Sequence, residues 1–233
     1  MWASIFRTCA ATALFAAAHS VLASRKAKAA AGILLGPSNA NGVYRALYIA
    51  QSFMTTGLLV AYIRRQPSVE IYRVRGPLAW AMHAGQTAAL LHATAAAQQV
   101  GILRVTGLAN LQAWRKGEEV PTMPEAQGPA LDSNSVARAA GPFAWSRHPL
   151  NLSPVPVFWL WPRMTTTLLA FNVASTCYLI VGSLHEEQRL SEVNGAKYEA
   201  YRRSGVPFFW PTRVLGPGRE LIKLLNSSST DAS

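Results

Sequence analysis

Apolar residues in this chain are gathered into five runs, which are separated by short segments rich in charged residues, glycine or proline. The runs cover residues 4–22, 43–63, 78–100, 149–161 and 165–184. All but the fourth approach the ~20 residues that an α-helix needs to cross a bilayer. The pattern predicts an all-α, polytopic membrane protein with about five transmembrane helices, built as a single domain over residues 1–225.

The first run permits two interpretations. Arg7, a short apolar stretch and the small residues Ala23 and Ser24 are also typical of a targeting peptide that is cleaved. His19 and Ser20 fit the apolar centre of such a peptide poorly. We therefore favour a retained membrane helix.

Turn-forming residues divide the rest of the chain. Residues 36–42 are rich in glycine, proline and asparagine, which predicts a loop. The polar stretch 104–145 predicts an extramembrane connection with a helix near 108–114. Pro154 and Pro156 interrupt the fourth run and should bend or break its helix.

The segments after the fifth run predict a helical cap at the C-terminus. A helical turn or two should end at Gly195, followed by a basic helix over 197–203. Residues 206–211 are rich in aromatic residues and proline, which is typical of a membrane interface. Residues 226–233 are polar and low in complexity, so we expect a disordered tail.

Charge patterning gives the expected orientation. Half of the residues are hydrophobic, 14% are charged, and the formal net charge is +11. The Lys and Arg residues lie between the apolar runs and form no basic stripe with interleaved aromatic residues, so nucleic acid is not an expected partner. The positive-inside rule places the cap and the C-terminus in the cytoplasm, at a bacterial inner membrane or an organelle membrane such as the endoplasmic reticulum.

Metal and disulfide chemistry find little support in the sequence. Cys9 and Cys177 each lie within an apolar run, and no spacing typical of a metal site occurs. His83 and His92 are nine residues apart, so a helix places them on opposite sides. Small residues with occasional polar ones are typical of helix contacts in membranes. Packing against other helices is therefore the favoured interpretation of residues 78–100. A non-catalytic protein that binds haem or quinone through His19, His83 or His92 remains an alternative.

Two polar patches carry the candidate chemistry. Residues 147–151 are Arg-His-Pro-Leu-Asn, and residues 185–190 are His-Glu-Glu-Gln-Arg-Leu. A nearly uncharged hairpin separates the two patches, and its folding would bring both to one membrane face. A cationic and an anionic cluster at one face could grip a zwitterionic ligand, with the bilayer as the surrounding partner.

Each patch suits one end of such a ligand. Pro149 fits the first position of a helix, whose free N–H groups together with Arg147 and His148 form a site for carboxylate or phosphate. Glu186 and Glu187 are about 100° apart on a helix, so one could bind a cationic amine or sulfonium while the other orients Arg147 or His148.

Neighbouring residues complete this hypothesis. Leu190 is expected to wall the pocket, and Tyr198 and Tyr201 to cover a purine ring or a cation. An equally weighted interpretation is that these residues are interfacial salt bridges and tyrosine anchors.

The order of motifs resembles a known family. The segment from Gly141 to Leu150 is Gly-Pro-Phe-Ala-Trp-Ser-Arg-His-Pro-Leu, and Glu-Glu-x-x-Leu-x-x-x-x-Gly-x-x-Tyr-x-x-Tyr begins at Glu186. Val-Pro-Phe-Phe-x-Pro then begins at Val206. In combination these motifs resemble the C-terminal half of the membrane methyltransferases, which include isoprenylcysteine carboxyl methyltransferases and phospholipid N-methyltransferases. Short matches at residues 19–23, 99–103 and 161–165 resemble the branch that contains methanethiol S-methyltransferase and NnrU-like proteins.

The resemblance implies a binding site for S-adenosylmethionine near the cytoplasmic face, with a lateral opening for lipid-like acceptors. It implies that the methionine carboxylate end contacts Arg147, His148 and Pro149. Glu186 or Glu187 would hold the amino group, with Tyr198 and Tyr201 nearby. Many relatives have Tyr where this chain has Asn151, which can donate a hydrogen bond but cannot stack.

The expected activity is methyl transfer from S-adenosylmethionine, with His148 and Glu187 as candidate catalytic residues because a protonated acceptor must lose its proton. A small thiol is the first expected acceptor, followed by a prenylated carboxylate or a phospholipid amine. An NADPH-dependent reductase of sterol-reductase-like architecture is the alternative, although the chain lacks the additional spans that this resemblance would require.

Overall fold

The computed structural model describes residues 1–122, 128, 129 and 139–212; the tail predicted to be disordered lies outside them. The long helices are α1 (Trp2–Ala23), α3 (Pro37–Arg64), α4 (Pro77–Val100) and α10 (Thr166–Asn194). The shorter helices are α2 (Arg25–Leu35), α5 (Ile102–Thr106), α6 (Leu108–Lys116), α7 (Pro142–Trp145), α8 (Pro149–Leu152), α9 (Pro154–Trp159) and α11 (Ala196–Arg203). Two short strands are β1 (Glu70–Arg73) and β2 (Arg163–Thr165).

Within the described residues, three helices are long and apolar enough to cross a membrane: α1, α3 and α10. Helix α1 packs along α10 and α3, and a stripe of small polar residues (Ser4, Thr8 and Thr12) is buried where α1 meets its neighbours. Small residues allow the close helix approach on which packing in a bilayer depends. The fold is therefore that of an all-α membrane protein, whereas the predicted count of five spans is not confirmed.

The third and fourth predicted spans explain the difference. Helix α4 has 24 residues, but its histidines and glutamines leave it outside the set of apolar helices. The fourth run forms two short helices, α8 and α9, because Pro154 and Pro156 cannot continue a regular helix. The carbonyls at the end of α9 are paired by side chains from two neighbouring helices: Gln86 donates to Val157 O at 2.9 Å and Asn172 donates to Phe158 O at 2.9 Å.

The prediction of a loop at residues 36–42 is wrong. Helix α2 ends at Leu35, only Gly36 interrupts the chain with φ +81°, and α3 begins at Pro37. Proline is well suited to the first helical position, since its missing N–H would be unpaired there anyway. Gly42 then lies beneath Trp114 of α6, where a Cβ would be only 2.6 Å from the Trp114 side chain.

A small sheet, which the sequence pattern did not predict, links the α3–α4 connection to the α9–α10 connection. Strand β1 pairs antiparallel with β2, with Glu70 opposite Thr165 and Arg73 opposite Arg163. The Glu70 carboxylate pairs with both Arg73 at 2.6 Å and Arg163 at 2.8 Å. These ion pairs are exposed to solvent.

Helix α10 carries the acidic patch beyond the apolar region. Its 29 residues extend about 44 Å at 1.5 Å per residue, longer than the ~30 Å hydrocarbon core. As predicted, the helix stops before Gly195, which has φ +52° and leads into α11. A core of six residues packs beneath this end: Ala96, Phe143, Leu190, Tyr198, Tyr201 and Val206.

Candidate functional site

The two polar patches meet in the folded chain. Arg147 and Glu187 are 40 residues apart in the sequence, yet Arg147 Nη2 lies 2.9 Å from Glu187 Oε1. Arg202 of α11 also contacts Glu187 Oε1, through Nε at 3.1 Å. The Glu187 side chain is only 11% exposed, so this carboxylate is paired in a largely buried position. The hairpin therefore brings a cationic and an anionic segment to one place.

His148 lies between the two glutamates. Its Nδ1 is 3.6 Å from Glu186 Oε2, and its Nε2 is 3.7 Å from Glu187 Oε2. The residue is 2% exposed, and the Phe208 ring packs edge-on against it at 5.1 Å between centroids. Burial by itself lowers the pKa of His148, but the two carboxylates outweigh it and raise this pKa above its ordinary value of 6.5. The two neighbouring glutamates thus face opposite nitrogens of one imidazole.

The C-terminal aromatic segment holds the Arg-His-Pro segment in place. The Arg147 backbone N–H donates to Pro207 O at 2.9 Å, and Arg147 Nη1 donates to Val206 O at 2.7 Å. Val206 and Phe209 are buried, whereas Trp210 is exposed. Residues 206–211, predicted as an interfacial segment, are thereby tied to the site by backbone and side-chain hydrogen bonds.

A cavity of about 230 Å³ lies beside this cluster, between α1, α3 and α10. Glu186 and Asn151 form part of its wall, and Asn151 Nδ2 donates to Glu186 Oε2 and to Ser183 Oγ, both at 3.0 Å. Glu187 and Arg147 are absent from the wall. The glutamate pair is therefore divided: Glu187 pairs with arginines behind the cavity, and Glu186 lies on its surface.

The predicted array of free N–H donors at the start of the fourth span is not present. Helix α8 has only four residues, and the N–H groups of Asn151 and Leu152 both donate to His148 O, at 3.2 and 2.9 Å. Pro149 is buried. Because the prolines break this span early, the local backbone pairs within a single turn and offers no long helix dipole.

Three further predicted site residues lie in the core beneath the site and not on the cavity wall. Leu190 is 3% exposed, and Tyr198 and Tyr201 are each 1% exposed. Tyr201 donates its hydroxyl to Phe143 O at 2.6 Å. Burial is the main reason that the pKa of each tyrosine is raised above its ordinary value. These residues support the ion-pair cluster from below and do not cover the cavity.

Residues of α1 and α3 form the opposite wall, and sequence reasoning did not assign them to the site. They include His19, Tyr48 and Arg45. Two features of the sequence pointed to His19: it is polar within an apolar run, and it belongs to the short match with the family branch at residues 19–23. Arg45 is the one charged residue in the run 43–63, which was an available signal, whereas nothing in the local pattern distinguishes Tyr48.

Curated proteins named methanethiol S-methyltransferase are similar to part of this chain. The protein from Crocosphaera subtropica is 41% identical over 69 residues, which are 30% of this chain and 27% of the relative. The protein from Pseudomonas deceptionensis is 35% identical over 74 residues, 32% of this chain and 28% of the relative. The protein from Mycobacterium tuberculosis is 38% identical over 72 residues, 30% of each chain.

The chain thus spans less than a third of the length of each of these three relatives. Their similarity supports the membrane methyltransferase family and the branch that the motifs indicated. No family model matches the chain, and no solved structure matches it.

Proposed function

We propose that this relative of the methanethiol S-methyltransferases transfers a methyl group from S-adenosylmethionine to a small thiol at the membrane. One observation carries the proposal: the Arg-His-Pro segment and the glutamate pair, distant in sequence, meet beside a cavity between the apolar helices. The curated relatives act on methanethiol by name, which favours a small thiol over the prenylated carboxylate or phospholipid amine that the wider family suggests.

The residues around the cavity fit the chemistry of S-adenosylmethionine. The molecule has a cationic sulfonium and an ammonium, which suit the Glu186 carboxylate, and a carboxylate, which suits Arg45 or Arg189. Tyr178 on the same wall offers an aromatic face to a purine or a cation. When bound, S-adenosylmethionine supplies an electrophilic methyl group with a good leaving group.

The protein's own residues then align and desolvate the reactants. Methyl transfer is an in-line displacement that needs no covalent intermediate, so positioning and exclusion of water are the main contributions. Asn151 fixes the Glu186 carboxylate from one side by its 3.0 Å hydrogen bond. Glu187 anchors Arg147 and His148 behind it and so keeps the wall of the cavity in place.

The alternative functions have less support in the described residues. Of the three histidines considered for haem or quinone, His19 is bonded at both ring nitrogens, to Tyr48 and Ser52. His83 and His92 are bonded through Nδ1, to Gln86 at 2.8 Å and to Ser153 at 2.9 Å. In the described residues three helices are long and apolar enough to cross a membrane, and the response to NADPH in the titration below separates a reductase from a methyltransferase.

Calorimetric titration of the purified protein in detergent tests the proposal. We expect heat with S-adenosylmethionine and none with NADPH. Glu186→Gln should weaken the binding of S-adenosylmethionine by tenfold or more, about 1.4 kcal/mol, because a neutral amide cannot pair with a cation. Glu192→Gln is the matched control, since Glu192 lies on the same helix in an ion pair with Arg25 at 2.9 Å, away from the cavity wall.

A labelled-methyl assay with a panel of acceptors tests the substrate class. We expect label in methanethiol and other small thiols, and little in prenylated cysteine or phosphatidylethanolamine. Folded protein that binds no S-adenosylmethionine would contradict the proposal altogether, whereas binding with transfer only to a lipid would move the acceptor to another class.

A further inference from the structure

A half-buried chain of hydrogen bonds on the wall opposite Glu186 has no role in cofactor binding as described above. Tyr48 Oη lies 2.5 Å from His19 Nε2, and His19 Nδ1 lies 3.1 Å from Ser52 Oγ. Both His19 and Tyr48 line the same cavity as Glu186 and Asn151. An acceptor bound in that cavity would therefore contact Tyr48 and His19.

The hydrogen bonds define the protonation of this chain. Ser52 has one hydroxyl proton, which it donates to Tyr48 O at 2.7 Å. Ser52 Oγ must then accept from His19 Nδ1–H, because two acceptors cannot pair. His19 Nε2 is left with a lone pair and accepts the Tyr48 O–H. In its neutral form, His19 therefore presents its basic nitrogen to the tyrosine hydroxyl.

Ring contacts hold the imidazole in this orientation. The His19 ring stacks on Phe15 at 5.6 Å, lies 4.9 Å from the Tyr48 ring and meets the edge of Tyr178 at 6.2 Å between centroids. A ring that is packed on three sides and bonded at both nitrogens does not need to reorganise before it accepts a proton.

We propose that Tyr48 and His19 form a proton relay that activates the thiol acceptor, with Tyr48 as the catalytic residue that touches the thiol and His19 as the base behind it. This inference rests on the proposed function, since it concerns the acceptor half of the same reaction. A neutral thiol is a weak nucleophile, and its proton has to leave for the displacement to proceed.

The relay balances protons and electrons. As the S–H bond breaks, its proton passes to the Tyr48 oxygen and the Tyr48 proton passes to His19 Nε2. The electron pair of the S–H bond forms the new S–CH₃ bond to the acceptor. The electron pair of the breaking C–S bond leaves with the sulfur of S-adenosylhomocysteine. A thiol and a sulfonium give two neutral thioethers and one imidazolium, which then releases its proton to solvent.

Thiols of different acidity distinguish a relay from a structural role. An alkanethiol such as ethanethiol is protonated near neutral pH, whereas 4-nitrothiophenol is ionised there and needs no base. For ethanethiol, His19→Gln and Tyr48→Phe should each lower kcat/KM by on the order of 100-fold, the lower range for general-base catalysis. For 4-nitrothiophenol, the same variants should retain the wild-type kcat/KM. His83→Gln and Tyr62→Phe are the matched controls and should leave both reactions unchanged.

Two measurements without turnover complete the test. S-adenosylmethionine should bind His19→Gln and Tyr48→Phe as tightly as wild type, which shows that both variants fold. In cofactor-free protein with ¹⁵N-labelled histidine, NMR should show a neutral ring protonated at Nδ1 whose signal is lost in His19→Gln. Signals of the same kind from His83 and His92, whose Nδ1 atoms also face acceptor oxygens, should remain.

The outcomes separate the relay from the proposed function. Equal losses for both thiols, no loss for ethanethiol, or a His19 ring protonated at Nε2 overturns the relay alone. Wild-type protein that methylates neither thiol overturns the proposed function and the relay with it.

Discussion

Two glutamates, one at each end of α10, are each paired with two arginines, but in different surroundings. Glu70 pairs with Arg73 and Arg163 beside the small sheet, and its side chain is 35% exposed. Glu187 pairs with Arg147 and Arg202, and its side chain is 11% exposed. Both glutamates pair with two arginines, so the two clusters differ in burial and in His148, which lies 3.7 Å from Glu187 Oε2.

Burial decides what each cluster can do. Exposed ion pairs contribute little because water and salt screen them. Removing one member of a buried ion pair is strongly destabilising, because the other charge stays buried without a partner. The Glu70 cluster is thus a surface link between β1 and β2, whereas the Glu187 cluster fixes one defined arrangement of Arg147 and His148 behind the cavity.

The largest expected effect is that of Glu187→Gln on stability. In a largely buried place, Arg147 would lose the carboxylate it pairs with and His148 would keep only Glu186. We expect this to lower the free energy of unfolding by about 3 kcal/mol. Unfolding in detergent by added denaturant measures the change. Glu70→Gln is the matched control and should leave the unfolding midpoint unchanged; similar losses in the two variants would remove the contrast between the clusters.

A smaller effect is expected on ligand affinity from Arg147→Ala. We expect S-adenosylmethionine to bind at least tenfold more weakly, about 1.4 kcal/mol, because Arg147 holds residues 206–207 and Glu187 together behind the cavity. Arg163→Ala removes an arginine from the exposed cluster and should bind as wild type does. Unchanged affinity in Arg147→Ala would mean that the buried cluster is an anchor with no part in binding.

The third expected effect is a pH dependence that arises from His148. Its pKa is raised in the folded protein, so its ion pairs stabilise the fold fully below the ordinary value of 6.5, and this stabilisation is lost as the pH rises through the raised pKa. The stability difference between wild type and His148→Gln should therefore be largest in acid and shrink in alkali. Unfolding midpoints from about pH 5 to about pH 9 measure it; a difference that grows with pH would contradict the assignment.

The smallest expected effect is that of Arg202→Gln, which tests the intermediate case. Arg202 contacts the buried Glu187, but its own side chain is 42% exposed and it also pairs with Glu199 at 3.0 Å. We expect a loss of stability below about 1 kcal/mol, because solvent screens the exposed partner. A loss as large as that of Glu187→Gln would show that burial of one partner alone sets the strength of the pair.

Much of the fold could be predicted from periodicity and from breaker residues. The long apolar helices, the end of α10 at Gly195 and the broken fourth run all follow from local sequence. The loop at 36–42 was mispredicted because its glycine and asparagine residues are turn formers in general, whereas here Pro37 starts a helix that Trp114 packs against. The small sheet was missed because its two strands are short and lie far apart in the sequence.

Part of the candidate site could also be predicted from the sequence. Arg147 and Glu187 could be paired because the nearly uncharged stretch between them predicts a hairpin, and a hairpin brings its two ends to one side. The burial of Leu190, Tyr198 and Tyr201 beneath the cluster could not be predicted, since it depends on how α11 packs against Phe143.

The sequence by itself determined that apolar helices carry this chain through a membrane and that a cationic and an acidic segment meet at one end. Local spacing is sufficient for this because helix length and hairpin closure are set by neighbouring residues. Only the tertiary structure decided that Glu187 pairs behind the cavity while Glu186 lines it, and that His19 and Tyr48 face them from other helices. Rotation of one helix against another is fixed by side-chain packing across long sequence separations, and no local pattern contains that information.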